Sequence, residues 1–164
     1  MTLRPDRRTV IVGVGNPWRR DDGVAAVVLA AAGNRLPPTV ELVETDGEPS
    51  RLIDAWTDVD LAVVVDAVSS SAAPGTIHIW RDDRKIARSA PSTGSHALGV
   101  ADAIALGHAL DRLPRTLVVV GVEVADTSPG HGLSPAVAAV IDDAVAVIVE
   151  VVQAGSRATS STGE

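Results

Sequence analysis

Three short stretches of this chain carry residues whose types and spacing suit chemistry. In Val10-Ile11-Val12-Gly13-Val14-Gly15-Asn16-Pro17-Trp18-Arg19-Arg20-Asp21-Asp22-Gly23-Val24 an apolar run stops at a Gly-x-Gly-Asn turn, and two adjacent aspartates follow. Gly13 and Gly15 permit a positive φ or a close backbone approach that a side chain would block. One of Asp21 and Asp22 is expected to cap the helix that follows, leaving the other free for chemistry at the carboxyl end of a strand. Asp66 closes a second apolar run, Leu61-Ala62-Val63-Val64-Val65. A charge after so many apolar side chains is costly unless it has a partner. His96 stands in Ser92-Thr93-Gly94-Ser95-His96, just ahead of a helical pattern. Together Asp22, Asp66 and His96 form a donor set for a divalent metal that leaves coordination positions open to a substrate.

Each residue also has a plain structural reading. Asp22 serves equally as an N-cap, Asp66 as an acceptor for backbone N–H groups at a strand end, and His96 as a capping or surface residue. What favours a site is that all three are expected at one edge of the same sheet. A dinucleotide site fits poorly, because that fingerprint needs a third glycine where this chain has Trp18. The pair Asp21-Asp22 would also repel a pyrophosphate. With no cysteine there is no thiol nucleophile and no disulfide frame. Gly94-Ser95-His96 lacks the spacing of a nucleophile elbow.

The elements that must position these residues follow from the pattern. Apolar residues make up 46% of 164 positions, yet the only aromatics are Trp18, Trp56 and Trp80. A core of Val, Leu, Ile and Ala suits parallel strands buried on both faces with Ala-rich helices against them. The spacing predicts strands over 9–14, 39–45, 60–65, 75–81 and 115–124, the fourth a candidate antiparallel strand. Helices are expected over 22–32, 49–56, 96–112 and from Ser134-Pro135 to about Gln153. The stretch 82–93 reads as a loop. The expected fold is an α/β three-layer sandwich, a twisted, mostly parallel five-stranded sheet with helices on both faces. One domain is expected over 1–153, with 154–164 a small, polar, disordered tail.

The net charge of −7 and the scattered basic residues argue against nucleic acid as a partner. The polar start fails as a secretory signal, and no apolar run approaches a membrane span. A soluble cytoplasmic protein without a membrane partner is therefore expected. Of the remaining histidines, His78 alternates with Ile77 and Ile79 and is expected on the polar face of its strand. His108 falls late in a helix, and His131, in a loop before the last helix, is a lesser candidate to approach a substrate.

The segments VGVGNPWRRDDGV, DLAVVVDAV, GSHALGVADAIAL, RTLVVVGVEV and HGLSPAV occur in this order over most of residues 9–153. In these the chain resembles the hydrogenase maturation endopeptidases. The resemblance implies an enzyme that removes the C-terminal extension of a nickel–iron hydrogenase large-subunit precursor after nickel insertion. It implies that Asp22, Asp66 and His96 sense nickel, which arrives in the substrate rather than residing in the free enzyme. It also implies a twisted five-stranded sheet between helices.

Two departures are visible. Many members of that family carry Glu where this chain has Asp22. The family's Asp-Gly-Gly-Thr is here Asp46-Gly47-Glu48-Pro49, which implies a different hydrogenase partner; Glu48 itself is expected to begin the short helix. The rival expectation is a non-catalytic, metal-dependent binding or chaperone module for the same subunit, since fold alone does not decide function.

Overall fold

The computed structural model describes residues 7–81 and 99–160. In chain order these form β1 (Thr9–Val14), a 3-10 turn (Arg20–Gly23), α1 (Val24–Ala32), β2 (Glu41–Thr45), α2 (Pro49–Trp56) and β3 (Leu61–Val68). There follow β4 (Ile77–Trp80), α3 (Gly99–Ala109), β5 (Thr116–Glu123), a short α4 (Pro135–Ala138) and α5 (Ile141–Ser160). The five strands make one sheet in the order β2-β1-β3-β5-β4. β1 runs parallel to β2 and β3, β3 parallel to β5, and only the edge strand β4 is antiparallel. The mostly parallel α/β sandwich is thus the architecture expected.

The valine runs explain the layering. All positions of β3 are buried, because both faces of this central strand are covered. On one face Ile11, Val63, Val65, Val118 and Val120 meet Val24, Val28 and Leu29 of α1 and Val145, Ile148 and Val152 of α5. On the other, Val10, Val12, Val64 and Val119 meet Leu52, Ile53 and Trp56 of α2 and Val100, Ala103 and Ile104 of α3. Trp56 is fully buried, and its indole N–H donates to the Arg112 carbonyl at 3.0 Å, so the largest core side chain leaves no polar atom unpaired.

The strand order places a switch point between β1 and β3. The chain leaves β1 toward β2 on one side, and the next crossover returns it to β3 on the other. At such a point the loops diverge and open a crevice at the carboxyl ends of the strands, where open α/β sheets bind ligands. Asp22 follows β1 and Asp66 lies on β3, so both belong to this crevice.

Several local expectations are corrected. The α-helix after β1 begins at Val24 rather than Asp22, with Gly23 as its N-cap and no side-chain cap. Neither aspartate caps it, because both carboxylates accept other backbone N–H groups. β2 begins at Glu41, not Thr39. β3 does not stop at Asp66 but continues to Val68, since β5 pairs with it through Glu123. α3 is described from Gly99 to Ala109; the expected start at His96, and the loop at 82–93, fall outside the described residues.

Ser134 and Pro135 open the helix as expected, in the N-cap and first-turn positions, although the Ser134 hydroxyl donates to Asp21 rather than to the helix. The last helix is nevertheless two pieces, because the chain turns at 139–140 before α5. α5 then runs to Ser160, past the expected end at Gln153 and into the segment read as a tail. Arg7 donates to the Gly155 carbonyl from the far end of the chain, a contact that composition does not foreshadow.

Candidate active site

The Gly-x-Gly-Asn turn works by close approach. A Cβ built on Gly15, whose φ is +155, would lie 2.0 Å from the Asp22 carbonyl oxygen. Only glycine lets the turn after β1 pack on the 3-10 turn. The Asp22 carboxylate closes the same loop by accepting the Asn16 N–H at 3.0 Å. Asp22 is 2% exposed, held at the mouth of the crevice by the chain segment that precedes it.

Asp21, its neighbour, has a different task. One carboxylate oxygen accepts the N–H groups of Ala125 at 3.0 Å and Asp126 at 2.9 Å. The Ser134 N–H at 2.6 Å and hydroxyl at 2.7 Å complete the set. Burial pushes its pKa up, but the hydrogen bonds from Ser134, Asp126 and Ala125 outweigh burial and hold it below the usual carboxylate range. Asp21 is a latch that ties the turn after β1 to the loop after β5 and to the start of α4.

Asp66 stands between Val14 of β1 and Gly121 of β5 in the ladder. It is 8% exposed. Burial first, and then the nearby Asp22 charge, push its pKa up to about 8; the Ala67 N–H offsets this only in part. A carboxyl group kept protonated by burial and by a second carboxylate is poised for a cation, which would relieve both effects. This sets Asp66 apart from a strand-end aspartate whose charge is satisfied by backbone N–H groups.

His96 lies outside the described residues. Among the described residues no three His, Cys, Asp or Glu side chains are grouped to hold a metal ion. On the far side of β1 a cavity of about 220 Å³ is lined by Gly13, Gly15, Gly23, Thr45, Asp46 and Arg51, among others. Glu48 begins α2 as expected: its carboxylate caps the helix by accepting the Arg51 N–H at 3.3 Å. The backbone of Gly99 at the start of α3 packs directly on Gly47, so close that a Cβ there would come within 2.3 Å of the Gly47 oxygen. The Asp46–Pro49 segment and the entry to α3 therefore meet at the sheet edge that carries Asp22 and Asp66.

The other histidines divide. His131 is exposed and packs edge-on against exposed Trp18, ring centroids 4.5 Å apart. His108 is exposed on α3. His78 is bound to Glu123, a buried residue that the sequence reading did not single out. The available signal was a lone charge inside Val118-Val119-Val120-Gly121-Val122-Glu123-Val124.

The model of the hydrogenase maturation protease family matches residues 26–151. The chain belongs to that family. It is 31% identical to the hydrogenase 2 maturation protease of Escherichia coli (strain K12) over 141 residues, 84% of this chain and 86% of that protein. It is 30% identical to the hydrogenase expression/formation protein HupD of Rhodobacter capsulatus, over 93% of this chain and 74% of that protein. The solved structure of the hydrogenase maturating endopeptidase HybD from E. coli superposes with a TM-score of 0.80 at 29% identity, covering 89% of this chain and 92% of that one. As a hydrogenase maturation protease, the chain is an endopeptidase, a hydrolase, rather than a non-catalytic binding module. No helix among its described residues is long and apolar enough to cross a membrane.

Proposed function

We propose that this endopeptidase acts in the cytoplasm on a nickel–iron hydrogenase large-subunit precursor, removing its C-terminal extension after nickel insertion. Nickel enters as part of the substrate and is recognised by Asp22, Asp66 and His96. The observation that carries this reading is the pairing of Asp22 with Asp66 at the β1/β3 switch point, where a buried carboxyl group has its pKa raised by a second carboxylate. Such a pair gains from a cation and repels phosphate or other anions.

Imidazole and carboxylates together suit a first-row divalent ion such as nickel. His96 precedes α3, whose start packs on Gly47 at the same sheet edge, and this supports its place in the set. Hydrolysis then has two routes in this setting. Either the substrate's metal polarises the scissile carbonyl or a water, or a carboxylate acts as general base on water.

The test is to mix the purified protein with its precursor, with and without nickel, and weigh the products by mass spectrometry. Loss of a C-terminal peptide only from the nickel-loaded precursor is the expected result. Cleavage that ignores nickel would overturn the metal-recognition part, and an intact precursor would overturn the proposed substrate.

A further inference from the structure

A second polar group of residues lies at the same carboxyl edge, on β4 and β5. Glu123 is 1% exposed. Its carboxylate accepts the Ser70 N–H, the Ser70 hydroxyl at 2.9 Å and Nε2 of His78 at 3.0 Å. A buried carboxylate that takes three donors is committed to holding them.

Register places this group beside Asp66. Gly121 of β5 pairs with Asp66 of β3 on one side and with His78 of β4 on the other. Side chains at paired positions share a face of the sheet, so Asp66 and His78 flank a residue that has no side chain. The Trp80 ring covers that gap, so closely that a Cβ on Gly121 would meet it at 2.6 Å. The His78 ring stacks on Trp80 with centroids 5.2 Å apart and planes 13° from parallel.

The imidazole is therefore fixed by a buried carboxylate at one nitrogen and by an indole on its face. Its side chain is 25% exposed, and among the described residues Nδ1 has no hydrogen-bond partner. Two strand spacings separate Asp66 from His78, about 10 Å between backbones, which is the reach of roughly three residues of extended peptide.

We propose that His78 is a substrate-binding residue of this endopeptidase. Its Nδ1 edge hydrogen-bonds the main chain of the extended precursor segment that crosses the carboxyl edge of the sheet past Asp66. Glu123 is the positioning residue that holds the ring in place. This inference rests on the proposed function, because it supplies that site with a contact to the polypeptide beyond the metal.

The competing account is that His78 only satisfies buried Glu123. His78→Gln separates the two, since the glutamine amide still donates to Glu123 but offers no ring nitrogen and no stacking face. The expected result with nickel-loaded precursor is a KM raised about 3- to 10-fold, the worth of one hydrogen bond, with kcat within about twofold and the unfolding midpoint unchanged. A wild-type KM in H78Q overturns the proposal.

If the wild-type protein leaves the precursor intact, that precursor fails as the proposed cleavage substrate, and the affinities of the two proteins for the nickel-loaded precursor decide His78 instead. Weaker binding by H78Q supports its role, and equal binding overturns it. Should H78Q not fold, the wild-type protein labelled with ¹⁵N-histidine is titrated with a synthetic peptide spanning the C-terminal extension. A shift at Nδ1 of His78 supports the contact, and an unmoved Nδ1 overturns it.

Discussion

The Asp21 carboxylate receives the Ser134 N–H at 2.6 Å, joining the turn after the first strand to the helical turn that precedes the last helix. Together with its bonds to Ala125 and Asp126, this makes a residue of the most conspicuous motif in the chain a structural tie. Asp22 and Asp66 remain at the crevice.

Asp21→Ala is expected to destabilise the protein by about 3 kcal/mol, because three backbone N–H groups and the Ser134 hydroxyl lose a shared acceptor at once. The sign of its pH dependence follows from its pKa, which is lower folded than unfolded. The stabilisation is present above the ordinary carboxylate value of 3.8 and is lost as pH falls through the folded value. Urea unfolding at pH 7 and below pH 4 checks both points: the gap between wild type and D21A should narrow in acid.

Asp66 should behave in the opposite sense. Its pKa is raised to about 8 in the folded protein, so between roughly pH 4 and 8 the folded state holds a proton that the unfolded chain has released. Stability should fall across this window, by at most about 1.4 kcal/mol per pH unit, and level off above it. Asp66→Asn should therefore be more stable than wild type at pH 8.5 and nearly equal to it near pH 3, below both values. Denaturant midpoints at the two pH values decide this.

If the metal in the substrate is read by Asp22, Asp66 and His96, then D22A, D66N and H96A should each abolish nickel-dependent cleavage. The circular-dichroism spectrum should stay native in all three. Mass spectrometry of the nickel-loaded precursor after incubation provides the measure; full processing by any one variant would remove that residue from the set.

Gly15→Ala places a methyl group where the Asp22 carbonyl oxygen stands, with only 2.0 Å available. The turn must move, carrying Asp22 with it. A loss of about 2 kcal/mol or more is expected, together with loss of processing. Thermal unfolding and the cleavage assay on the same sample test the two effects.

Much of this architecture is written locally in the chain. β1 over Thr9–Val14 and α2 over Pro49–Trp56 have the bounds their patterns predict, because an apolar run between turn residues and a proline after a capping residue are short-range signals. The uninterrupted valines of β3 and β5 imply strands covered on both faces, and hence helices on both sides of a parallel sheet. That Asp22 and Asp66 emerge at one edge follows as soon as β1 and β3 are parallel. The motifs, in their order, also pointed to the family.

What only the tertiary structure decided depends on which strands become neighbours. Two adjacent aspartates look alike in sequence. Asp21 became the latch because the loop after β5 and Ser134 are folded over it, while Asp22 was turned toward Asn16 and the crevice. The raised pKa of Asp66 needs burial and a second carboxylate, both set by packing. The link from His78 to Glu123 exists because β4 reverses direction and pairs with β5, bringing together residues that lie far apart along the chain. Local pattern determines which element a residue joins; long-range pairing determines what its side chain meets.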